Sequence, residues 1–309
     1  MQYEKGVSVV IPCYNREEYL RECLQSVLDQ EHDFPVEIIV ADDGSEDRSM
    51  EITQTMSAST ASDPSARAFV PAILPLPKPA DCQTRGAGPT RNRGIAQARY
   101  SYIAFLDSDD LFLPGHLKRL FHFLENENNA EVAATVDQLY GFAENIAKRW
   151  IMPYLDTDVV HLETFFLSPY FNPSVAMIRH TVLDMLEGPF EETLRFAQDI
   201  DLFFRILEQH TIAIVPGEGA GLREHLERST RGKSPYLQYE YAEKVFQRAI
   251  ARYPYPKKLQ WKRRATLHFR RAEGALWERH YFSAVKHLLA AFFLDPVRAI
   301  QTVLGFRRK

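Results

Sequence analysis

Apolar and polar positions along the N-terminal part of the chain switch between two periods. Val7 to Ile11 is a short β-branched run that predicts a strand, and after "PCYN" the residues Tyr19, Leu20, Cys23, Leu24, Val27 and Leu28 recur at the spacing of an amphipathic helix. Asn15, with Glu18 three residues later, has the form of a capping box and predicts that the helix starts there. Val36 to Val40 is a second apolar strand that ends in "ADDGSED", where Ser45 is placed to cap another helix. Residues 57–67, "SASTASDPSAR", are polar and low in complexity, so they read as a surface loop before a weak, proline-interrupted strand from about Phe69 to Leu74. "GAGPTRNRGIAQAR" is a glycine-rich turn into a helix, Tyr102 to Leu106 is the next strand, and Leu117, Leu120, Phe121 and Leu124 predict a helix after an acidic cluster. Strand, acidic turn and helix in this rhythm are the pattern of a parallel sheet with crossover helices, an α/β doubly wound half reaching to about Val136.

Beyond Val136 strands and helices alternate less regularly. A linker is expected at 228–235, and from Pro235 the pattern is helical and basic, with Tyr239, Ala242, Phe246 and Ala249 on one face. The expected division is therefore 1–230 and 235–309. In the tail, Phe282, Val285, Leu288, Leu289, Phe292 and Phe293 form one apolar helical face, Pro296 breaks the helix, and a further short helix ends in Arg307, Arg308 and Lys309. That face predicts either packing onto the rest of the chain or a peripheral, salt-sensitive contact with an anionic membrane.

Composition narrows the function classes. A chain of 309 residues with 45% hydrophobic content can bury a full core. Its net charge of -4 argues against a general nucleic-acid binder, since no excess of cations is available to displace counterions from a phosphate backbone. Cys13, Cys23 and Cys82 are odd in number, widely spaced and lack a CxxC pair, which suggests neither a disulfide framework nor a zinc site. No signal-peptide-like stretch precedes the first strand and eighteen apolar residues never run together, so the expectation is a cytoplasmic protein that does not span a membrane.

The chemistry gathers at strand ends, where open parallel sheets bind ligands. Three turns, "CYN", "DDGS" and "DSDD", follow three of the expected strands. A nucleotide needs an aromatic to stack on, a carboxylate to accept from base or ribose, and a cation for its phosphates. Tyr14 fits the first need, although a core aromatic is the plainer reading; Asp42 or Asp43 fits the second, although either also suits a helix cap. Asp107 with Asp109 suits Mg²⁺ or Mn²⁺, while the alternative is a solvated turn in which Asp109 or Asp110 caps the helix opened by Pro114. "GAGPTRN" is neither GxGxxG nor a P-loop and is equally explained by a helix-entry turn.

Taken together, "VSVVIPCYNREEYLRECLQSVLDQ", "IIVADDGSED", "GAGPTRNRGIAQARYSYIAFLDSDD" and "FAQDIDLFFRI" resemble the family 2 glycosyltransferases of the GT-A fold over about residues 5 to 230. The resemblance implies an inverting enzyme that moves a sugar from a nucleotide-diphosphate sugar to a glycan or lipid-linked acceptor. It implies that Pro12, Tyr14 and Asn15 of the "PxYN" segment and Asp42 with Asp43 hold the nucleotide, and that Asp107 and Asp109 form the DXD motif binding ribose and a divalent metal. Arg91 falls in the segment matching "ARN", with Arg85 as a competitor, and Asp199 occupies the position of the catalytic base. His225, with Arg223 beside it, matches a loop that closes over the diphosphate and is a candidate metal ligand. Two departures stand out: Gln198 replaces the usual Glu before Asp199, and Asp201 is either a helix cap or a substitute base. Three other functions compete: a glycan hydrolase, which does not account for Tyr14 and Asp42; a receiver-like module, which has no use for Asp199; and a nucleotide-sugar-binding protein that has lost its chemistry.

Overall fold

Val7 to Ile11 lies in the buried middle of β1 (Glu4–Cys13), because a run of branched apolar residues suits a strand covered on both faces. The computed structural model describes residues 3–61, 71–152, 157–225 and 235–297. The chain folds into two compact units, the first comprising residues 1–160, 170–195 and 205–224, the second residues 161–169, 196–204 and 225–309.

In the first unit, helix α1 (Leu20–Leu28) leads from β1 to β2 (Val36–Asp42), and α2 (Ser49–Ala61) leads to β3 (Ala72–Leu76). Helix α3 (Ala87–Gln97) precedes β4 (Tyr100–Phe105), and β5 (Leu111–Phe112) and α4 (His116–Glu125) follow. Strands β6 (Val132–Phe142), β7 (Trp150–Ile151), β8 (Ala176–Arg179) and β9 (Thr211–Arg223) complete one sheet in the order β3-β2-β1-β4-β8-β6-β9-β5, with β7 also on β6. The ladders from β3 to β4 and between β6 and β9 are parallel; β8 joins the two sets antiparallel to both β4 and β6. Gly94 lets α3 approach β1, since a Cβ there would lie 2.5 Å from Val10 Cγ1.

Several local expectations change. Residues 57–61 continue α2 instead of forming a loop: Ser57 donates to the Ile73 carbonyl at 2.7 Å and ties the helix to β3, while Thr55, Ser59 and Thr60 satisfy their hydroxyls on carbonyls one turn back. Phe69 and residues 62–67 of that expected loop lie outside the described residues. Strand β3 begins at Ala72, later than expected, and it accommodates Pro75 because it is an edge strand paired only with β2. Helix α1 starts at Leu20 and not at Asn15, whose side chain accepts instead from the Glu46 N–H at 2.9 Å. The start of α2 is held by Asp47, which accepts from the Ser49 N–H at 3.0 Å, while Ser45 serves another loop. Neither Asp109 nor Asp110 caps α4, whose N-cap is Gly115 in the left-handed region at φ 78°.

In the second unit, α5 (Leu162–Leu167) and the first turns of α7 (Gln198–Leu207) share a core with α8 (Pro235–Arg252) and α9 (Lys257–Trp277); α6 (His180–Asp184) belongs to the first unit. Phe166 stacks on Tyr255 at 4.1 Å and lies 5.8 Å from Phe246, and the buried Arg263 donates to the Leu167 carbonyl at 3.0 Å. Tyr239, Ala242, Phe246 and Ala249 are buried as their spacing predicts. Helix α10 (Tyr281–Leu294) packs on α9 through Ala284, His287 and Ala291, leaving Phe282, Val285, Leu289, Phe292 and Phe293 exposed and Leu288 half-buried. Arg307, Arg308, Lys309 and the short helix expected after Pro296 lie outside the described residues. Among the described residues no helix is long and apolar enough to cross a membrane.

Candidate active site

The carboxyl ends of β1, β2 and β4 meet because the three strands are parallel and adjacent, so their outgoing turns share one edge of the sheet. The turn after β1 is opened by Asn15 at φ 50°, a left-handed conformation that asparagine tolerates better than most residues. Its N–H donates to Ser45 Oγ at 3.0 Å, tying the turn to the one after β2. Pro12 is buried in β1, whereas the Tyr14 side chain stands 45% exposed at the strand end and is not part of the core.

The two aspartates after β2 have different duties. Asp42 is 4% exposed and folds its carboxylate back onto the N–H groups of Gly44, at 2.8 Å, and Ser45, at 3.0 Å. Asp43, also buried, turns toward the segment before α3, accepting from Lys78 Nζ at 3.1 Å and from the Gly86 N–H at 2.7 Å at the entry to α3. Neither caps α2. Arg93 of α3 donates to the Asp42 carbonyl, so the turn after β2 is held from both sides.

Each of the three carboxylates after β4 has its own counterpart. Asp107 Oδ1 accepts from Nη2 of Arg91, a buried arginine whose guanidinium also lies 5.2 Å from the Phe190 ring. Asp109 Oδ2 accepts from Arg16 Nε at 3.2 Å. Asp110 is 2% exposed and accepts from the Arg223 N–H at 3.0 Å and from Ser174 Oγ at 3.2 Å. Ser174 also accepts from the Asp107 N–H at 3.3 Å, so one hydroxyl spans the loop. Arg223, in turn, donates from Nε to the Asp109 carbonyl at 3.1 Å, pairs with Glu22 and lies over the Phe142 ring.

The site residues expected in the first unit fall on one sheet edge: Asn15, Asp42, Asp43, Arg91, Asp107 and Asp109 take part in the contacts above, and Tyr14 stands exposed at the end of β1 beside them. Arg85 is exposed and Arg91 carries the ion pair to Asp107. Arg223 is a support of the acidic loop. Asp199 and His225 belong to the second unit, as does Asp201. Asp199 is half-buried in the first turn of α7, entered through Ala197 at φ 58°, a strained conformation for a residue with a Cβ. Asp201 is fully buried and pairs with Arg248 at 3.2 Å and Arg252 at 3.7 Å, so it anchors α8 and is not a cap.

Sequence reasoning passed over Arg16, Lys78 and Ser174. Arg16 adjoins the "PCYN" motif and is legible by that position; Ser174, between Pro173 and an apolar run, carries no local signal for a partner on a distant loop.

Among the described residues no group of three His, Cys, Asp or Glu side chains surrounds a single point. The pair Asp107 and Asp109 nevertheless fits a hard divalent cation, because Mg²⁺ and its like are held by one or two carboxylates together with the phosphates of the substrate. Asp107 is partly open to solvent, with its side chain 33% exposed.

Comparison with known proteins converges on one family. The profile described as "Glycosyl transferase family 2" matches residues 8–186. An uncharacterized glycosyltransferase of Rickettsia typhi is 25% identical over 68% of this chain and 61% of its own length. The minor teichoic acid biosynthesis protein GgaA of Bacillus subtilis is 28% identical over 65% of this chain and 43% of its own length. The chain thus spans less than two thirds of these curated relatives. In fold it is similar to residues 1–349 of S. aureus TarS, solved with UDP-GlcNAc, at a TM-score of 0.67 and 19% identity over 96% of this chain and 83% of that one. The mannosyltransferase PcManGT of Pyrobaculum calidifontis, solved with GDP-Man and Mn²⁺, aligns at a TM-score of 0.59 and 15% identity over 100% of this chain and 85% of that one. With the profile covering more than half of the chain, and with a GT-A-like α/β sheet followed by C-terminal helices, the chain belongs to glycosyl transferase family 2.

Proposed function

We propose that the protein is an inverting glycosyltransferase that moves a sugar from a nucleotide-diphosphate sugar to an acceptor hydroxyl in bacterial-type polysaccharide or glycoconjugate synthesis. The observation that carries this reading is the convergence of a half-exposed Tyr14 ring, the Asp42 turn and the Asp107–Asp109 loop on one sheet edge. Tyr14 stacks on the base, the turns around Asn15, Asp42 and Asp43 line its polar edge, and Asp107 with Asp109 faces the ribose and diphosphate. Residues 1–230 form the transferase domain in this reading, and 235–309 a helical extension. GgaA as a relative supports a polymer or glycoconjugate context, and TarS with UDP-GlcNAc supports a nucleotide-sugar donor.

A divalent cation, Mn²⁺ or Mg²⁺, held by Asp107 and Asp109, with His225 a further candidate ligand, would neutralise charge developing on the departing diphosphate. The chain's own part is positioning and proton transfer. The acceptor oxygen forms a bond to the anomeric carbon as the bond to the diphosphate oxygen breaks with its electron pair, and the acceptor's proton passes to the Asp199 carboxylate. A single in-line displacement inverts the anomeric centre. The reaction takes place in the cytoplasm, and a lipid-linked acceptor would bring it to the inner face of the membrane.

The test has two arms. A thermal-shift panel of nucleotide sugars with Mn²⁺ is expected to raise the melting temperature for one donor. With that donor, Asp199→Asn is expected to keep binding and lose transfer, because the amide preserves shape but cannot take a proton at neutral pH. Transfer by this variant at the wild-type rate would assign the base elsewhere. Gln198, buried where the family usually has Glu, favours a second reading, a nucleotide-sugar binder with weak or no transfer; donor binding without turnover in the wild type would support it.

A further inference from the structure

Helix α10 is packed the wrong way round for a globular core. Its small residues Ala284 and Ala291, with His287, are buried, while Phe282 is 88% exposed, Phe293 80% and Leu289 54%. Phe282, Val285, Leu289 and Phe293 recur at intervals of three and four, so they form one continuous stripe along a helix about 21 Å long. The neighbouring end of α9 adds Trp277, 76% exposed, and the helix begins with Tyr281 at 65%. A contiguous stripe of exposed large apolar side chains marks an interaction site.

Charge tells what the surface meets. The cations that adjoin the stripe are Arg279, at the junction of α9 and α10, and Lys286, within α10. Both are exposed, and Lys286 lies along the edge of the stripe. Aromatic side chains with a polar edge, at Trp277 and Tyr281, beside an aliphatic and phenyl stripe and flanking cations, are the composition of a helix that lies in a membrane interface. At 14 residues α10 is shorter than a bilayer-spanning helix, so contact with a bilayer would be along its surface.

We propose that the outer face of α10, with the end of α9, is a docking surface for an anionic lipid bilayer: Phe282, Leu289 and Phe293 enter the acyl boundary, and Arg279 and Lys286 meet the headgroups. The contact is reversible and weakens as salt screens the headgroup charge.

The test uses the full chain in vesicle co-sedimentation and does not depend on any transferase activity. Vesicles of phosphatidylcholine with 30% phosphatidylglycerol are expected to carry down at least threefold more protein at 50 mM salt than vesicles of phosphatidylcholine alone, and 500 mM salt should remove most of that excess. Phe282→Ser with Phe293→Ser changes only exposed side chains, so the melting temperature should stay within about 2 °C of the wild type. Sedimentation of this variant on the anionic vesicles should fall to the neutral-vesicle level. The proposal is overturned if the wild type sediments no more on anionic than on neutral vesicles, or if the double variant sediments like the wild type. It is equally overturned if light scattering finds a wild-type dimer that the double variant abolishes while neither protein binds vesicles, since the face then belongs to a second copy.

Discussion

Arg91 of α3 donates from its buried guanidinium to Oδ1 of Asp107, the first carboxylate of the acidic loop after β4. The pair joins a helix that packs on the sheet to the loop that the sheet presents, and it sets a difference between two aspartates that a motif treats alike. Arg16, the partner of Asp109, has a side chain 17% exposed, whereas that of Arg91 is 5% exposed. Removing Asp107 strands a buried cation, while removing Asp109 leaves one better able to turn toward water. Asp107→Ala should therefore destabilise the first unit more than Asp109→Ala, by a difference on the order of 1 kcal/mol, the 33% exposure of the Asp107 carboxylate keeping it small. Urea denaturation of both variants reads the difference, and titration calorimetry with donor and Mn²⁺ should find metal-dependent binding lost in each. Equal stability losses would show that Arg91 finds another partner.

Ser174 spans the acidic loop with one hydroxyl, donating to Asp110 and accepting from the Asp107 N–H. Ser174→Ala leaves both groups short of a partner in a buried place and should cost about 1 to 3 kcal/mol. Because Asp107 then loses its backbone tether, donor KM should rise several-fold while kcat changes less. Steady-state kinetics over donor concentration separates the two; an unchanged KM would mean that the loop is held without the serine.

The three thiols should differ sharply in reactivity. Burial pushes Cys13 up to about 12 and Cys23 well above the ordinary thiol range, while the hydrogen bond to Thr84, with a smaller contribution from Arg93 nearby, lowers Cys82. Since the thiolate is the nucleophile, iodoacetamide at pH 7.5 should modify Cys82 first in the native protein, and Cys13 and Cys23 only after unfolding. Peptide mass spectrometry over time gives the order directly.

His268 of α9 and His287 of α10 approach Nδ1 to Nδ1 at 3.0 Å with their rings stacked. Such a bond needs one ring nitrogen bare, and burial holds both imidazoles below the usual 6.5; around His268, Arg271, Arg264 and Lys286 lower it further while Glu243 opposes them. A histidine with a depressed folded value gives a helical unit that is fully stable above pH 6.5 and loses stability as pH falls below it, because the unfolded chain takes up the protons first. Melting temperatures at pH 7.5 and 5.5 should show this loss, and His287→Leu should reduce the dependence. A slope as steep in the variant would place the titration in other groups.

Local order in the sequence determined the elements that depend on near neighbours. The branched runs at Val7 to Ile11, Val36 to Val40 and Tyr102 to Leu106 became parallel strands, and the turn residues after them fell at one edge because the alternation of strand and helix leaves few other ways to bury those runs. Four short motifs were enough to show the family. The partner of each polar group was decided only in three dimensions. Asn15 looks like a helix cap in sequence, yet the loop after β2 lies against it and its amide oxygen accepts from Glu46. Asp107, Asp109 and Asp110 are near neighbours in the chain, but Arg91, Arg16 and Ser174 reach them from three other elements, and Arg223 meets Glu22 across 201 positions. The same holds for α10, where periodicity marks the large apolar stripe as a face to be covered, by the chain or by a membrane, and the fold buries Ala284 and Ala291 against α9 instead. Hydrophobic spacing says that a face needs covering; which face the neighbouring helix can approach depends on side-chain size at the contact, and there the small residues of α10 meet an α9 that also buries Gly274 and Ala275.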